Sequence, residues 1–138
     1  MAYVKVGSHA SASACLTYGE YKDGERREGV EVGAVDCSAA SAKQEFKAAR
    51  IMWDKEDGLQ CHTVIQSFDD CDGLTPQRAN ELGRETARRL APGHQAVVFT
   101  HTDGKGGKTH NHIVINAVSV EDGKKLNTRG FLNDARRV

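Results

Sequence analysis

No run of apolar residues in the 138-residue chain is long enough to span a bilayer, and no signal peptide opens it. Membrane insertion is therefore not expected, and the expected compartment is the cytoplasm. The four cysteines, Cys15, Cys37, Cys61 and Cys71, show no C-x-x-C spacing and sit in unrelated contexts. In a cytosolic chain they read as reduced, structural thiols rather than disulfides. Net charge is zero, so composition alone does not advertise a nucleic-acid binder. Internal repeats and linkers are also missing, which leaves a single compact domain. No serine stands in a nucleophile-elbow motif. Tyrosine is scarce, with Tyr3, Tyr18 and Tyr21 the only ones, all in the first part of the chain.

What is present concentrates between Phe99 and Asn116. This stretch reads as a strand, a glycine-rich turn at Asp103-Gly104 and Gly106-Gly107, and a second strand. Alternate strand residues share a face, so His110, His112, Val114 and Asn116 point one way, while Asn111, Ile113, Ile115 and Ala117 point the other. Pairing that sets His101 opposite His112 would converge three imidazoles on one face, as a metal site requires. The other face is apolar, as a half-buried strand demands.

Along the chain, a short first strand precedes a weak helix that Ser11 or Ser13 can cap and that carries Leu16 and Tyr18. On such a helix Tyr18 and Tyr21 would share a side. The charged, glycine-punctuated stretch from Lys22 to Val35 reads as a loop or a β-excursion. A long helix is expected from Asp36 to about Lys55, and a strand from Leu59 to Phe68. Thr75-Pro76 caps a helix running to about Leu90. A strand from Gln95 to Thr100 then leads into the hairpin. This order suggests an α+β fold, an antiparallel sheet with helices on one face and the histidines on the other. Basic residues gather at Arg84, Arg88 and Arg89, at Lys105 and Lys108, and at Lys124, Lys125, Arg129, Arg136 and Arg137. A phosphate-bearing ligand would suit a basic side flanking the histidines. A metal held by three imidazoles with open positions can polarise a phosphoryl oxygen, and a tyrosine can attack phosphorus to form a covalent intermediate.

At this point the motifs resemble those of a known family. Thr100-His-Thr-Asp103 followed by His110-Asn-His-Ile-Val-Ile-Asn116 is similar to the third motif of MobA-like, MOBP-type mobilisation relaxases, which belong to the HUH endonucleases. Likeness to the relaxases of small staphylococcal mobilisable plasmids extends through Ser11-Ala-Ser13, Tyr18 with Glu20, and Lys55-Glu-Asp-Gly58. It continues through His62-Thr-Val-Ile-Gln-Ser-Phe68, Thr75-Pro76, Leu82-Gly83, Ala91-Pro92, His94-Gln95 and Gly123-Lys-Lys125.

The resemblance implies an HUH-type palm of about five antiparallel strands. It also implies metal-dependent, site- and strand-specific nicking and rejoining of single-stranded DNA at an origin of transfer. Tyr18 would be the nucleophile, forming a 5′-phosphotyrosine, and His101, His110 and His112 the metal ligands. Manganese or magnesium would serve in catalysis, with zinc, nickel or cobalt found bound. Asp103 would orient a ligand imidazole or activate Tyr18. His62 would lie beside the cluster as proton acceptor or phosphate contact, unless it is a buried structural histidine. From their charge, Lys105, Lys108, Lys124 and Arg129 would contact DNA phosphates, unless they form a solvated charged surface. Implied partners are an accessory relaxosome protein and a coupling protein, in the bacterial cytoplasm. Residues 1–138 would be the catalytic domain of a longer relaxase. The alternatives are a non-catalytic origin-binding regulator, a three-histidine metalloenzyme acting on small molecules, and a rolling-circle replication initiator. Initiators carry their tyrosine after the histidines, whereas here every tyrosine precedes them.

Overall fold

A computed structural model describes residues 3–22, 25–26, 30–68, 73–102 and 108–126. The elements run β1 (Tyr3–His9), α1 (Ala12–Glu20), β2 (Tyr21–Lys22), β3 (Glu25–Arg26), β4 (Glu31–Val35), a 3-10 turn (Ala39–Ser41), α2 (Ala42–Met52), β5 (Cys61–Ser67), α3 (Pro76–Leu90), β6 (His94–His101) and β7 (His110–Ser119). Five strands form one sheet in the order β1-β5-β7-β6-β4, with every neighbouring pair antiparallel. This is the expected α+β architecture.

The layering departs from expectation. Helices cover both faces, not one. The α3 face holds Val64, Ala87, Leu90, Val98, Ile113 and Ile115. The opposite face holds Ala12 and Leu16 of α1 and Ala42 and Phe46 of α2 against Cys61, Val97, Phe99 and Val114. The cause lies in β6 and β7, where consecutive residues are apolar, so both faces of the central strands must leave water. On the histidine face the cover thins at the start of β7 and along β5, leaving His110, His112, Thr63 and Ile65 half-buried.

Chain punctuation accounts for the helix boundaries. Ser11 caps α1 by accepting from the Ala14 N–H at 3.2 Å. Thr75 caps α3 by accepting from the Arg78 N–H, with Pro76 at the first helical position. The second helix starts later than expected because Asp36 has a positive φ of 55°, which no right-handed turn can continue. It ends at Met52, two residues before Asp54, at φ 53°. The loop or β-excursion expected over Lys22–Val35 contains β4, an edge strand bonded to β6 alone.

A buried polar network ties the strands to α3 directly behind the hairpin. Asn80 donates to the Val98 carbonyl at 3.0 Å and to the Thr100 hydroxyl at 3.1 Å. Thr100 donates to Asn111 Oδ1 at 2.6 Å, and Asn111 Nδ2 donates to Gln66 Oε1 at 3.1 Å and to the Ala79 carbonyl at 2.8 Å. Gly83 permits this approach, because a Cβ there would stand 2.7 Å from Asn111 Nδ2. Thr100 and Asn111 alternate with His101, His110 and His112 along their strands. The network thus fixes the register that brings the histidines together.

Candidate functional site

Three side chains from β6 and β7 meet at one end of the sheet. His101 pairs directly with His110, while His112 stands opposite Phe99, two residues along β7 from the expected pairing of His101 with His112. Convergence survives because all three share a face. Ring centroids are 5.2 Å apart for His101 and His110, 4.6 Å for His101 and His112, and 5.1 Å for His110 and His112. One nitrogen from each lies within 4.8 Å of the others.

Local contacts orient two of these rings. His101 Nε2 lies 2.9 Å from the Gly19 carbonyl oxygen. A carbonyl only accepts, so Nε2 carries the hydrogen and Nδ1 keeps the lone pair for coordination. His110 Nδ1 stands 3.3 Å from the Lys108 carbonyl, which by the same logic frees Nε2 as the donor atom. Three imidazoles within this span suit a divalent transition metal with further positions open. Among the described residues this is the one such group of three. The site can hold a metal.

The α1 helix delivers Tyr18 to this cluster. Ala12, Leu16 and Gly19 are its buried positions and follow helical spacing, which turns Tyr18 outward to 58% exposure. Its ring meets His112 edge-on, with centroids 5.5 Å apart and planes at 64°. Gly19 lets the helix end settle on β6, since a Cβ there would fall 2.3 Å from the Phe99 ring. Tyr21 does not share the helix with Tyr18, contrary to expectation. The helix closes at Glu20, and Tyr21 starts the β2–β3 ribbon.

His62 does not join the cluster. It pairs with Ile115 on β7, and so lies on the α3 face, across the sheet from the histidines. It is buried, with Nδ1 2.8 Å from the Ser8 hydroxyl. Burial first, then the charges of His94, His9 and Lys125, hold its pKa below the ordinary value. Burial likewise lowers His94, outweighing the 2.7 Å contact of its Nδ1 with the Asn116 carbonyl. Lys124 is also remote. Its carbonyl accepts from the Ser119 N–H, at the far end of β7, roughly 23 Å along the strand from His112 by the rise per residue. Lys108 is exposed two residues before His110. Asp103, Lys105 and Arg129 lie outside the described residues. Asn116 shares the histidine face but serves packing, donating to the Phe46 carbonyl and to Gln95 Oε1, each at 3.1 Å.

The sequence reading missed the Gly19 carbonyl, whose signal was a glycine directly after the candidate nucleophile inside an otherwise regular helix. It also missed the network partners Thr100 and Asn111, which stand out as polar residues on the apolar face of the central strands.

Comparison with known proteins points the same way. The family model described as relaxase, MobA/VirD2-like, nuclease domain, matches residues 18–138. A Staphylococcus aureus "Protein rlx" is 46% identical over 125 residues, covering 91% of this chain and 37% of that protein. A second "Protein rlx" from Staphylococcus aureus is 41% identical over 139 residues, covering 100% of this chain and 39% of its own length. The "Group II intron-interrupted relaxase LtrB" of Lactococcus lactis subsp. cremoris (strain MG1363) is 35% identical over 74 residues, covering 53% of this chain and 13% of that protein. The chain thus spans about two fifths of the length of its staphylococcal relatives. A solved structure described as "Molecular Basis of Vancomycin Resistance Transfer in Staphylococcus aureus" superposes with a TM-score of 0.59 over 99% of this chain and 87% of that one. At 12% identity, that likeness is one of fold.

Proposed function

The chain belongs to the MobA/VirD2-like relaxases, and from that membership we propose that it nicks and rejoins one DNA strand at the transfer origin of a mobilisable plasmid, with Tyr18 as nucleophile. The observation that carries this reading is the contact of the exposed Tyr18 ring with His112, at 5.5 Å, beside a cluster of three imidazoles.

In the proposed reaction the Tyr18 hydroxyl oxygen attacks the scissile phosphorus as the bond from phosphorus to the 3′ oxygen breaks. Tyr18 releases its proton and the departing 3′ oxygen takes one up, so the proton count is unchanged. The product is a 5′-phosphotyrosine and a free 3′-hydroxyl, and the reverse attack rejoins the strand. His101, His110 and His112 would hold a divalent ion, which supplies charge stabilisation at a phosphoryl oxygen. Manganese or magnesium is proposed for turnover, and zinc, nickel or cobalt as ions that imidazoles retain. The Gly19 carbonyl holds the His101 ring, and α1 presents Tyr18 beside the histidine cluster, where it would meet the phosphate. His62 has no part in this chemistry. Lys108 is proposed to meet the DNA backbone near the hairpin. Asp103, Lys105 and Arg129 remain candidates on sequence grounds. Single-stranded origin DNA, a relaxosome accessory protein and a coupling protein are the proposed partners, in the bacterial cytoplasm. No helix among the described residues is long and apolar enough to cross a membrane.

The test is incubation of the chain with a single-stranded oligonucleotide of candidate origin sequence and manganese, followed by a denaturing protein gel. A shifted covalent band that disappears with Tyr18→Phe and with chelator supports the proposal. A band that persists in Tyr18→Phe moves the nucleophile, with Tyr21 next in line. DNA binding without a band for any origin tried favours an origin-binding regulator.

A further inference from the structure

A cleft of about 290 Å³ opens beside Tyr18, on the side away from His101 and His110, between α1 and the β1–β5 edge of the sheet. Its walls are Cys15, Tyr18, Ile65 and His112, with His9 and Thr63 at its polar end. We infer that this cleft takes a single DNA base, that of a nucleotide adjoining the scissile phosphate, and that the His9–Thr63 pair reads its edge. The inference rests on the nicking reading for the position of that base.

Three observations converge on a base. The lining offers two ring systems, Tyr18 and His112, and an aliphatic side chain at Ile65, surfaces on which a flat π-system packs. Among the described residues no lysine or arginine lines the cleft, which suits it to a base rather than a phosphate. The polar end carries one defined pair, with His9 Nε2 3.0 Å from Thr63 Oγ1. Whichever tautomer His9 adopts, its contact fixes the sense of the Thr63 hydroxyl. If Nε2 donates, Thr63 turns its hydrogen outward. If Nε2 accepts, Thr63 presents a lone pair. A hydroxyl with a fixed sense discriminates donor from acceptor on a base edge, as a freely rotating one does not.

The pair has room because β1 carries glycine there. A Cβ at Gly7 would stand 3.1 Å from both His9 Nε2 and Thr63 Oγ1. Continuity with the candidate active site sets the location. Tyr18 and His112 belong both to the cleft and to the Tyr18–histidine contact, so a strand whose phosphate meets Tyr18 has its neighbouring base at the cleft mouth.

The test uses the 138-residue chain and a pool of single-stranded oligonucleotides of random sequence, with two readouts. Bound oligonucleotides are sequenced, and covalent adducts formed with manganese are sequenced separately. Wild-type chain is compared with Thr63→Val, which keeps the shape without the hydroxyl, and Thr63→Ser, which keeps the hydroxyl. The expected result is one strongly preferred base next to the nick, a preference reduced about tenfold in Thr63→Val and retained in Thr63→Ser. Adducts whose preference is identical in wild type and Thr63→Val overturn the cleft assignment and leave the nicking proposal standing. A bound pool with a Thr63-dependent position but no adduct overturns nicking and supports the cleft as a base site. Failure to retain any single-stranded DNA overturns both.

Discussion

His101 Nε2 donates a 2.9 Å hydrogen bond to the carbonyl oxygen of Gly19, the residue that follows Tyr18. The two partners are 82 positions apart, so the helix bearing the candidate nucleophile is latched to a strand bearing a candidate metal ligand. One contact sets both the tautomer of His101 and the seating of the α1 end.

Gly19→Ala therefore acts on both at once. Alanine gains about 1 kcal/mol in helix propensity. Its Cβ must enter space 2.3 Å from the ring of Phe99, which is itself buried. Overpacking of that kind costs about 3 kcal/mol, so the clash wins by roughly 2 kcal/mol. Urea unfolding should show that loss. Metal titration should show affinity weakened about tenfold, as when a partner orienting a ligand histidine is lost.

Metal binding should stabilise the fold independently of catalysis. At a concentration about 100 times the dissociation constant, manganese or zinc should add about 2.7 kcal/mol and raise the melting temperature on the order of 10 °C. His110→Ala should abolish the shift, whereas Tyr18→Phe should keep it while losing the covalent DNA adduct. A melting temperature unaffected by manganese, zinc, nickel or cobalt would remove the three histidines from the metal role.

Asn111→Ala should be among the costliest substitutions outside the apolar core. It deletes a fully buried amide and leaves Thr100 Oγ1, Gln66 Oε1 and the Ala79 carbonyl short of a partner. Stranding buried polar groups costs about 1–3 kcal/mol each, so a total near 4 kcal/mol is expected in denaturant. The exposed Lys124→Ala should change stability by less than about 0.5 kcal/mol.

Stability should fall on the acid side because of His62 and His94. Both are held below the ordinary imidazole value of 6.5, chiefly by burial. As pH drops below that value, the unfolded chain takes up protons that the folded chain refuses, so the folded state loses ground until the lowered folded values are passed. His62→Asn should flatten the decline in melting temperature between neutral pH and about pH 5. An equally steep decline in that variant would assign the acid sensitivity to other groups.

Much of this was legible in residue order. Thr75-Pro76 announced α3, Ser11 announced α1, and alternation along His110–Asn116 placed two histidines on one face. Register was not legible: the pattern set three rings on one side but could not say that His101 faces His110 rather than His112. The face of His62 was lost for the same reason, since a one-residue shift in strand phase carries a side chain across the sheet. β4 falls within the expected loop or β-excursion, but its bounds were not legible because Gly33 interrupts its pattern. That glycine is required by α3, where a Cβ would fall 2.2 Å from Asn80 Oδ1. The cover over the histidine face was written in Val97, Phe99 and Val114, which alternate with Val98 and Ile113 and make both faces of the central strands apolar.

The strand order has a kinetic consequence. β7 is the last of the five sheet strands along the chain, yet it lies at the centre, bonded to β5 on one side and β6 on the other. A chain emerging from the ribosome therefore presents β5 and β6 with no partner between them until β7 arrives. The β1–β5 and β4–β6 pairs can form early as separate ribbons, but joining them waits on that final segment. Loop closure over long separations is slow, and the two ribbons expose apolar edges meanwhile. Tyr18 is synthesised early and His112 late, so a nascent chain carries the tyrosine well before it carries the clustered histidines, and the Tyr18–His112 contact forms only with the closing strand.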